Sequence, residues 1–206
     1  MKPGCIVMAA GRGIRFGANK LLADFGGKPL FCCALDAVER DLFSRVIVVT
    51  GHEPVTQAAL ERGFSVVSND CPEAGISRTI ALGLEAAGSC SGALFMTADQ
   101  PLLTSGILSA LTSVFADHPD QIVAAAHHGQ RGNPCLFPQD LFPELMGLEG
   151  DRGGASVIRN HPDRLKLVEV PEEALFDCDT PEALAICREN YAKKVQNFAK
   201  NDLTSI

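Results

Sequence analysis

Residues Cys5-Ile6-Val7-Met8-Ala9-Ala10-Gly11-Arg12-Gly13-Ile14-Arg15-Phe16-Gly17-Ala18-Asn19-Lys20 decide how the chain is read. The apolar run 5–8 predicts a buried first strand. Beyond it, glycines at 11, 13 and 17, Arg12, Arg15 and Lys20 crowd into a connection with little side-chain bulk. Such a loop brings backbone N–H groups close to a polyanion while its cations neutralise it. The chemistry indicated is triphosphate handling at the end of a strand. The competing reading is a glycine-rich turn with solvated basic residues.

Spacing separates the kinds of phosphate loop. A dinucleotide fingerprint requires G-x-G-x-x-G, but Phe16 stands at the third glycine and Gly17 comes one residue late, which disfavours a dehydrogenase. A Walker A loop requires Gly-Lys-Ser/Thr, and here Gly17 is followed by Ala18-Asn19-Lys20-Leu21. The pattern that fits is A-A-G-x-x-x-R-x-G-x-x-K.

The sequence has 206 residues, 46% hydrophobic and 21% charged, which suits one globular domain with a full core. A net charge of −7 argues against a nucleic-acid-binding face, though not against one anionic ligand in a local basic loop. The apolar runs are too short for a membrane span, and the start lacks a signal-peptide core, so a cytoplasmic protein is expected. Eight scattered cysteines without a C-x-x-C pair read as reduced core residues, with no metal–thiolate cluster expected.

Apolar spacing predicts helices over 29–40, 54–62 and 77–87, alternating with strands at 46–50, 64–67 and 92–97. This alternation implies right-handed crossovers and an α/β fold: one Rossmann-like domain, its sheet mostly parallel and twisted, with helices on both faces. Ligands bind such sheets beyond the carboxyl ends of the strands, which puts 11–20 and 98–102 on one rim. The second half predicts strands at 122–126, 134–137 and 165–170, a helix over 138–146 and a terminal helix over 180–194 capped by Thr180. Residues 1–196 form the expected domain, and 197–206 a polar, fraying tail.

Asp99, after the fourth strand, is suited to holding Mg²⁺ on phosphate oxygens, or to capping a turn before Pro101. In Asp177-Cys178-Asp179-Thr180-Pro181-Glu182, an extended backbone would project both aspartates from one face to share a cation, with Asp179 the preferred second ligand. The same residues also make a good helix start. Gly75 and Ser77 sit at a helix N-terminus suited to a nucleotide or to simple capping. Gly132-Asn133-Pro134 and Gly150-Asp151-Arg152-Gly153 are turn-rich, the latter suited to a second anionic ligand. His127 and His128, adjacent on a strand, should face opposite ways and be structural. His52 and His118 have no partner visible in the sequence.

Taken in order, Ala9-Ala10-Gly11…Arg15…Gly17…Lys20, Gly75-Ile76-Ser77, Ala98-Asp99-Gln100-Pro101, Gly132-Asn133-Pro134, Gly150-Asp151-x-Gly153 and Asp177-x-Asp179-Thr180-Pro181-Glu182 resemble the molybdenum cofactor nucleotidyltransferases of the MobA-like family, across roughly 4–190. The Ala-Ala-Gly start is similar to that of the cytidylyltransferase branch; members using GTP usually carry Ala-Gly-Gly. The resemblance implies transfer of CMP from CTP to molybdopterin. It implies that Arg15 and Lys20 neutralise the triphosphate, and that Ala9, Ala10, Gly11, Arg12, Gly13, Gly75 and Ser77 surround the nucleotide. Asp99 and Asp179 would hold Mg²⁺, while Gln100, Gly132, Asn133, Pro134 and Asp151 would face the acceptor. The implied partners are these small molecules and a molybdoenzyme or its chaperone. Departures from the usual pattern include Gly13, Phe16, Thr79, Asn133 and Gly154-Ala155. A sugar phosphate or methylerythritol phosphate as acceptor, GTP as donor, or a non-catalytic cofactor chaperone are the alternatives.

Overall fold

The computed structural model describes residues 1–11 and 19–203. Strands β1 (Gly4–Met8), β2 (Val46–Thr50), β3 (Ser65–Ser68), β4 (Gly92–Thr97), β5 (Ile122–His127), β6 (Gln130–Pro138) and β7 (Leu165–Glu169) form one sheet in the order β3-β2-β1-β4-β6-β5-β7. Only β6 runs against its neighbours. The helices are α1 (Leu30–Asp36), α2 (Glu53–Glu61), α3 (Ile76–Ala87), α4 (Ser105–Asp117), α5 (Phe142–Met146), α6 (Gly154–Asn160) and α7 (Pro181–Leu203). No helix among the described residues is long and apolar enough to cross a membrane.

Alternation along β1 splits the core into two layers. Cys5 and Val7 join one cluster with Leu35 of α1, Val55 of α2 and Phe115 of α4. Ile6 faces the other way, onto Ile80 and Leu84 of α3 and Val157 of α6. Both faces of the central strands are therefore covered, which is why Gly4–Met8 and Val46–Thr50 read as continuous apolar runs. A third cluster docks Cys178, Leu184 and Cys187 against Phe25, Leu30, Cys33 and Leu102. It brings the start of α7 to the rim beside β4. All eight cysteines are free, and seven are buried.

The architecture agrees with the pattern expected from the sequence, with local differences. Helix α4 falls where no element is expected. Thr104 caps it by accepting from Ile107 N, and its buried stripe is Leu108, Leu111 and Phe115; intervening Ser and Thr residues blur the period. The turn-rich stretch at 130–134 is the start of β6, paired with β5 through Ala126↔Arg131. The helix expected over 138–146 begins only at Phe142, after a 3₁₀ turn. Residues 197–203, expected as a tail, continue α7.

The β5–β6 connection corrects the reading of the two histidines. His128 and Gly129 form its two-residue turn with φ of 48° and 76°. Alternation stops where the strand stops, so the two imidazoles meet with ring centroids 4.1 Å apart.

Close packing of α3 on β1 yields a test. A Cβ on Gly83 would lie 2.5 Å from Ile6 Cγ2, inside the fully buried second layer. Gly83→Ala gains about 1 kcal/mol of helix propensity, against an overpacking cost of about 1–3 kcal/mol. A net loss of stability is expected in urea unfolding.

Candidate active site

β1 lies between β2 and β4, so the chain's direction of winding reverses there and opens a crevice at the strands' carboxyl ends. Met8 pairs with Thr97, and Ala98 N donates to Met8 O at 3.1 Å, which sets the two exits side by side. The first loop residues are stitched to β2. Ala9 N donates to Val49 O (2.9 Å), Thr50 Oγ1 donates to Ala9 O (3.0 Å), and His52 Nε2 lies 3.2 Å from Gly11 O. A carbonyl only accepts, so that ring nitrogen carries a hydrogen. His52 therefore has a partner that the sequence did not reveal, and Thr50 and His52 are anchors it did not flag. Ala9 and Ala10 are buried and Gly11 is exposed. Arg12, Gly13 and Arg15 lie outside the described residues.

Lys20 returns the chain to the rim in a single 3₁₀ turn that Asn19 caps by accepting from Leu21 N. Its ammonium lies 2.5 Å from Asp99 Oδ2 and 2.5 Å from Asp179 Oδ1. Burial opposes the charge, but the two carboxylates outweigh it and hold the Lys20 pKa above its ordinary value. The loop before α7 is tied directly to β4, because Cys178 N donates to Asp99 O at 3.0 Å. Thr180 Oγ1 accepts from Ala183 N, the expected cap.

Among the described residues, the buried atoms Thr97 Oγ1, Asp99 Oδ1 and Gln100 Oε1 have no hydrogen-bond partner. The unpaired Asp99 Oδ1, on a carboxylate that already converges with that of Asp179 on one cation, is a hard oxygen donor of the kind that suits Mg²⁺. The residues present fit that ion.

Two adjoining cavities share Met8 and Ile76. The larger, about 590 Å³, is lined by Ala10, Gly11, Lys20, Asp99 and Asp179, and across from them by Gly75 and Thr79. The smaller, about 280 Å³, has an apolar wall of Phe95, Phe137 and Leu145 with Gln100, Gly132, Asn133 and Asp177 at its polar side.

Most of the expected site residues are thereby brought together, and four placements differ from expectation. Ser77 lines neither cavity; it is buried and its N–H donates to Gly150 O at 3.1 Å, whereas Thr79, equally buried, lines the larger cavity with its Oγ1 accepting from Asn69 Nδ2 at 3.1 Å. Asp151 lines the larger cleft, not the acceptor-side cavity. Pro134 lines neither, although its neighbours do. Asp177 and Asp179 do not share a face, because Asp179 N donates to Asp177 O in a tight turn. Asp179 consequently opens into the larger cavity and Asp177 into the smaller. Gly75 is needed where it stands: its φ is 90°, and a Cβ would meet Gly150 O at 2.3 Å.

Residues 5–165 match the family described as the MobA-like NTP transferase domain. The purine catabolism protein PucB of Bacillus subtilis is 25% identical over 89% of this chain and 94% of its own. A probable molybdenum cofactor guanylyltransferase of Nostoc is 26% identical, covering 90% of each chain. The 3-deoxy-manno-octulosonate cytidylyltransferase of Bdellovibrio bacteriovorus is 31% identical over 55% of this chain and 48% of its own.

Two outcomes test the electrostatics. Burial pushes the Asp177 carboxyl up to about 6, aided by the charges of Asp99 and Asp179. An acid whose pKa is raised by folding costs stability when ionised, above about pH 6, and that cost vanishes as pH falls toward its ordinary value of 3.8. Asp177→Asn should therefore raise Tm at pH 7.5, with the gain shrinking toward pH 4.5. Lys20→Met leaves two converging carboxylates without their cation and should cost about 1–3 kcal/mol in urea unfolding, less than a fully buried pair because Asp179 is half-exposed.

Proposed function

The chain belongs to the MobA-like NTP transferase family, and from that premise we propose that it is a molybdenum cofactor cytidylyltransferase. In this reading it transfers CMP from CTP to the phosphate of Mo-bearing molybdopterin, releasing pyrophosphate. The observation that carries the proposal is the pair of cavities meeting at consecutive residues, with Asp99 facing the larger and Gln100 the smaller. A nucleotide in the first and an acceptor in the second would bring their phosphates together at that junction.

The acceptor phosphate attacks the α-phosphorus in line with departing pyrophosphate, and the protein need supply no nucleophile. Its contributions are positioning and neutralisation of charge. Lys20 faces the triphosphate from the rim, and Arg15 is assigned the same task by its place in the loop pattern. The N–H groups of Ala10 and Gly11, in the segment whose carbonyls at Ala9 and Gly11 are held by Thr50 and His52, would approach the phosphate oxygens. Asp99 and Asp179 are the residues that would hold Mg²⁺, which when bound neutralises phosphate oxygens. Asn133 and Gln100 offer amides to the acceptor, against the apolar wall of Phe95 and Phe137.

Cytosine is favoured by Ala10, a buried methyl where members using GTP usually carry glycine. The Bdellovibrio relative's name supports a cytidine donor, whereas the Nostoc relative's name supports guanosine. Turnover with purified molybdopterin separates these. Pyrophosphate release should be at least about tenfold faster with CTP than GTP, a difference of about 1.4 kcal/mol at the transition state. Ala10→Gly should narrow the preference. Asp99→Asn should lower kcat by about 10²-fold or more. Release of pyrophosphate only with a sugar phosphate or methylerythritol phosphate would overturn the acceptor. Tight pterin binding without any loss of turnover in Asp99→Ala would identify a chaperone.

A further inference from the structure

We propose that His127, His128 and Glu169 form a binding site for a borderline first-row divalent cation, Zn²⁺ being the reference ion, where the β5–β6 turn meets the end of β7. The site stands apart from the nucleotidyl-transfer reading and does not rest on it. One ligand atom from each residue lies within 4.8 Å of the other two, a spread that small side-chain rotations close around one ion.

The backbone brings these donors together in an uncommon way. His128 holds a φ of 48°, a conformation that a two-residue hairpin ordinarily gives to Asn, Asp or Gly. With an imidazole there, the ring turns back onto that of His127, at 4.1 Å between centroids and 49° between planes. Glu169 ends β7 opposite Ala126, so its carboxylate reaches the same corner. Glu169 Oε1 accepts from His128 N at 2.8 Å and lies 3.2 Å from His127 Nδ1. His127 Nδ1 also lies 3.0 Å from Val170 O, to which it donates. Val170 O thereby fixes the orientation of the ring, as outer-shell carbonyls do for metal-binding histidines.

The donor chemistry selects the ion. Two imidazoles and one carboxylate suit Zn²⁺, Cu²⁺ or Ni²⁺, whereas Mg²⁺ takes oxygen ligands and belongs with the carboxylates of the catalytic rim. Because His128 and Glu169 are exposed, water can complete the coordination. An ion here would brace the hairpin tip against β7, and β6 runs from that tip to Asn133.

The test uses the untagged full chain, stripped with chelator and titrated with Zn²⁺ by calorimetry, with Mg²⁺ in excess throughout. One site is expected, and Zn²⁺ should raise the melting temperature. His128→Asn keeps the turn conformation and removes one ligand; Glu169→Gln weakens another. Each should reduce Zn²⁺ affinity by about tenfold or more, while both variants melt near the wild type without zinc. Cu²⁺ EPR should report two imidazole nitrogens in the wild type and one in His128→Asn. Cys71→Ser, which alters the most exposed cysteine, should bind as the wild type does. Absence of saturable Zn²⁺ binding, or equal affinity in the wild type and the His128→Asn/Glu169→Gln double variant, would overturn the proposal.

Discussion

The ammonium of Lys20, 2.5 Å from both Asp99 and Asp179, joins three segments that are remote in sequence: the end of the glycine-rich loop, the end of β4 and the entry to α7. Two carboxylates brought this close repel each other, so the corner holds only with a cation between them. The neighbouring contacts enforce the convergence. β1 and β4 pair in register at Met8↔Thr97, and Cys178 N is fastened to Asp99 O. The docking of Cys178, Leu184 and Cys187 into an apolar cluster keeps the start of α7 on the rim. The fold thus uses apolar burial, the dominant favourable term, to hold an electrostatically costly arrangement in place.

The same corner sorts the site into two compartments. Asp99 and Gln100 are consecutive, yet they face different cavities. The tight turn at Asp177–Asp179 does likewise from the opposite side, sending one carboxylate to each. Two substrates entering separately can then meet at a shared, charge-neutralised boundary, the geometry that a direct transfer between phosphates requires.

Much of this was legible in the sequence because it depends on local rules. Continuous apolar runs mark strands buried on both faces, and β1 and β2 were found that way. The loop was identified by spacing, and Asp99 and Asp179 by their positions after a strand and before a helix cap. Other features were not legible, each for a physical reason. Helix α4 lacked a clean period because Ser and Thr interrupt its apolar stripe. Ser77, expected beside the nucleotide, lines neither cavity, and the approach of Gly150 to the start of α3 is a contact that no local pattern shows. His127 and His128 were assigned opposite faces by alternation, a rule that ends where a strand turns.

By itself, the sequence determined the alternation of strands and helices, the phosphate-loop spacing and the acidic residues eligible for the rim, because each is written in the periodicity or chemistry of neighbouring residues. Tertiary structure alone decided that Asp177 and Asp179 open into different cavities and that Lys20 stands between Asp99 and Asp179. These are outcomes of long-range packing: a contact between residues 79 or 159 positions apart depends on strand register and helix docking, which no local pattern specifies.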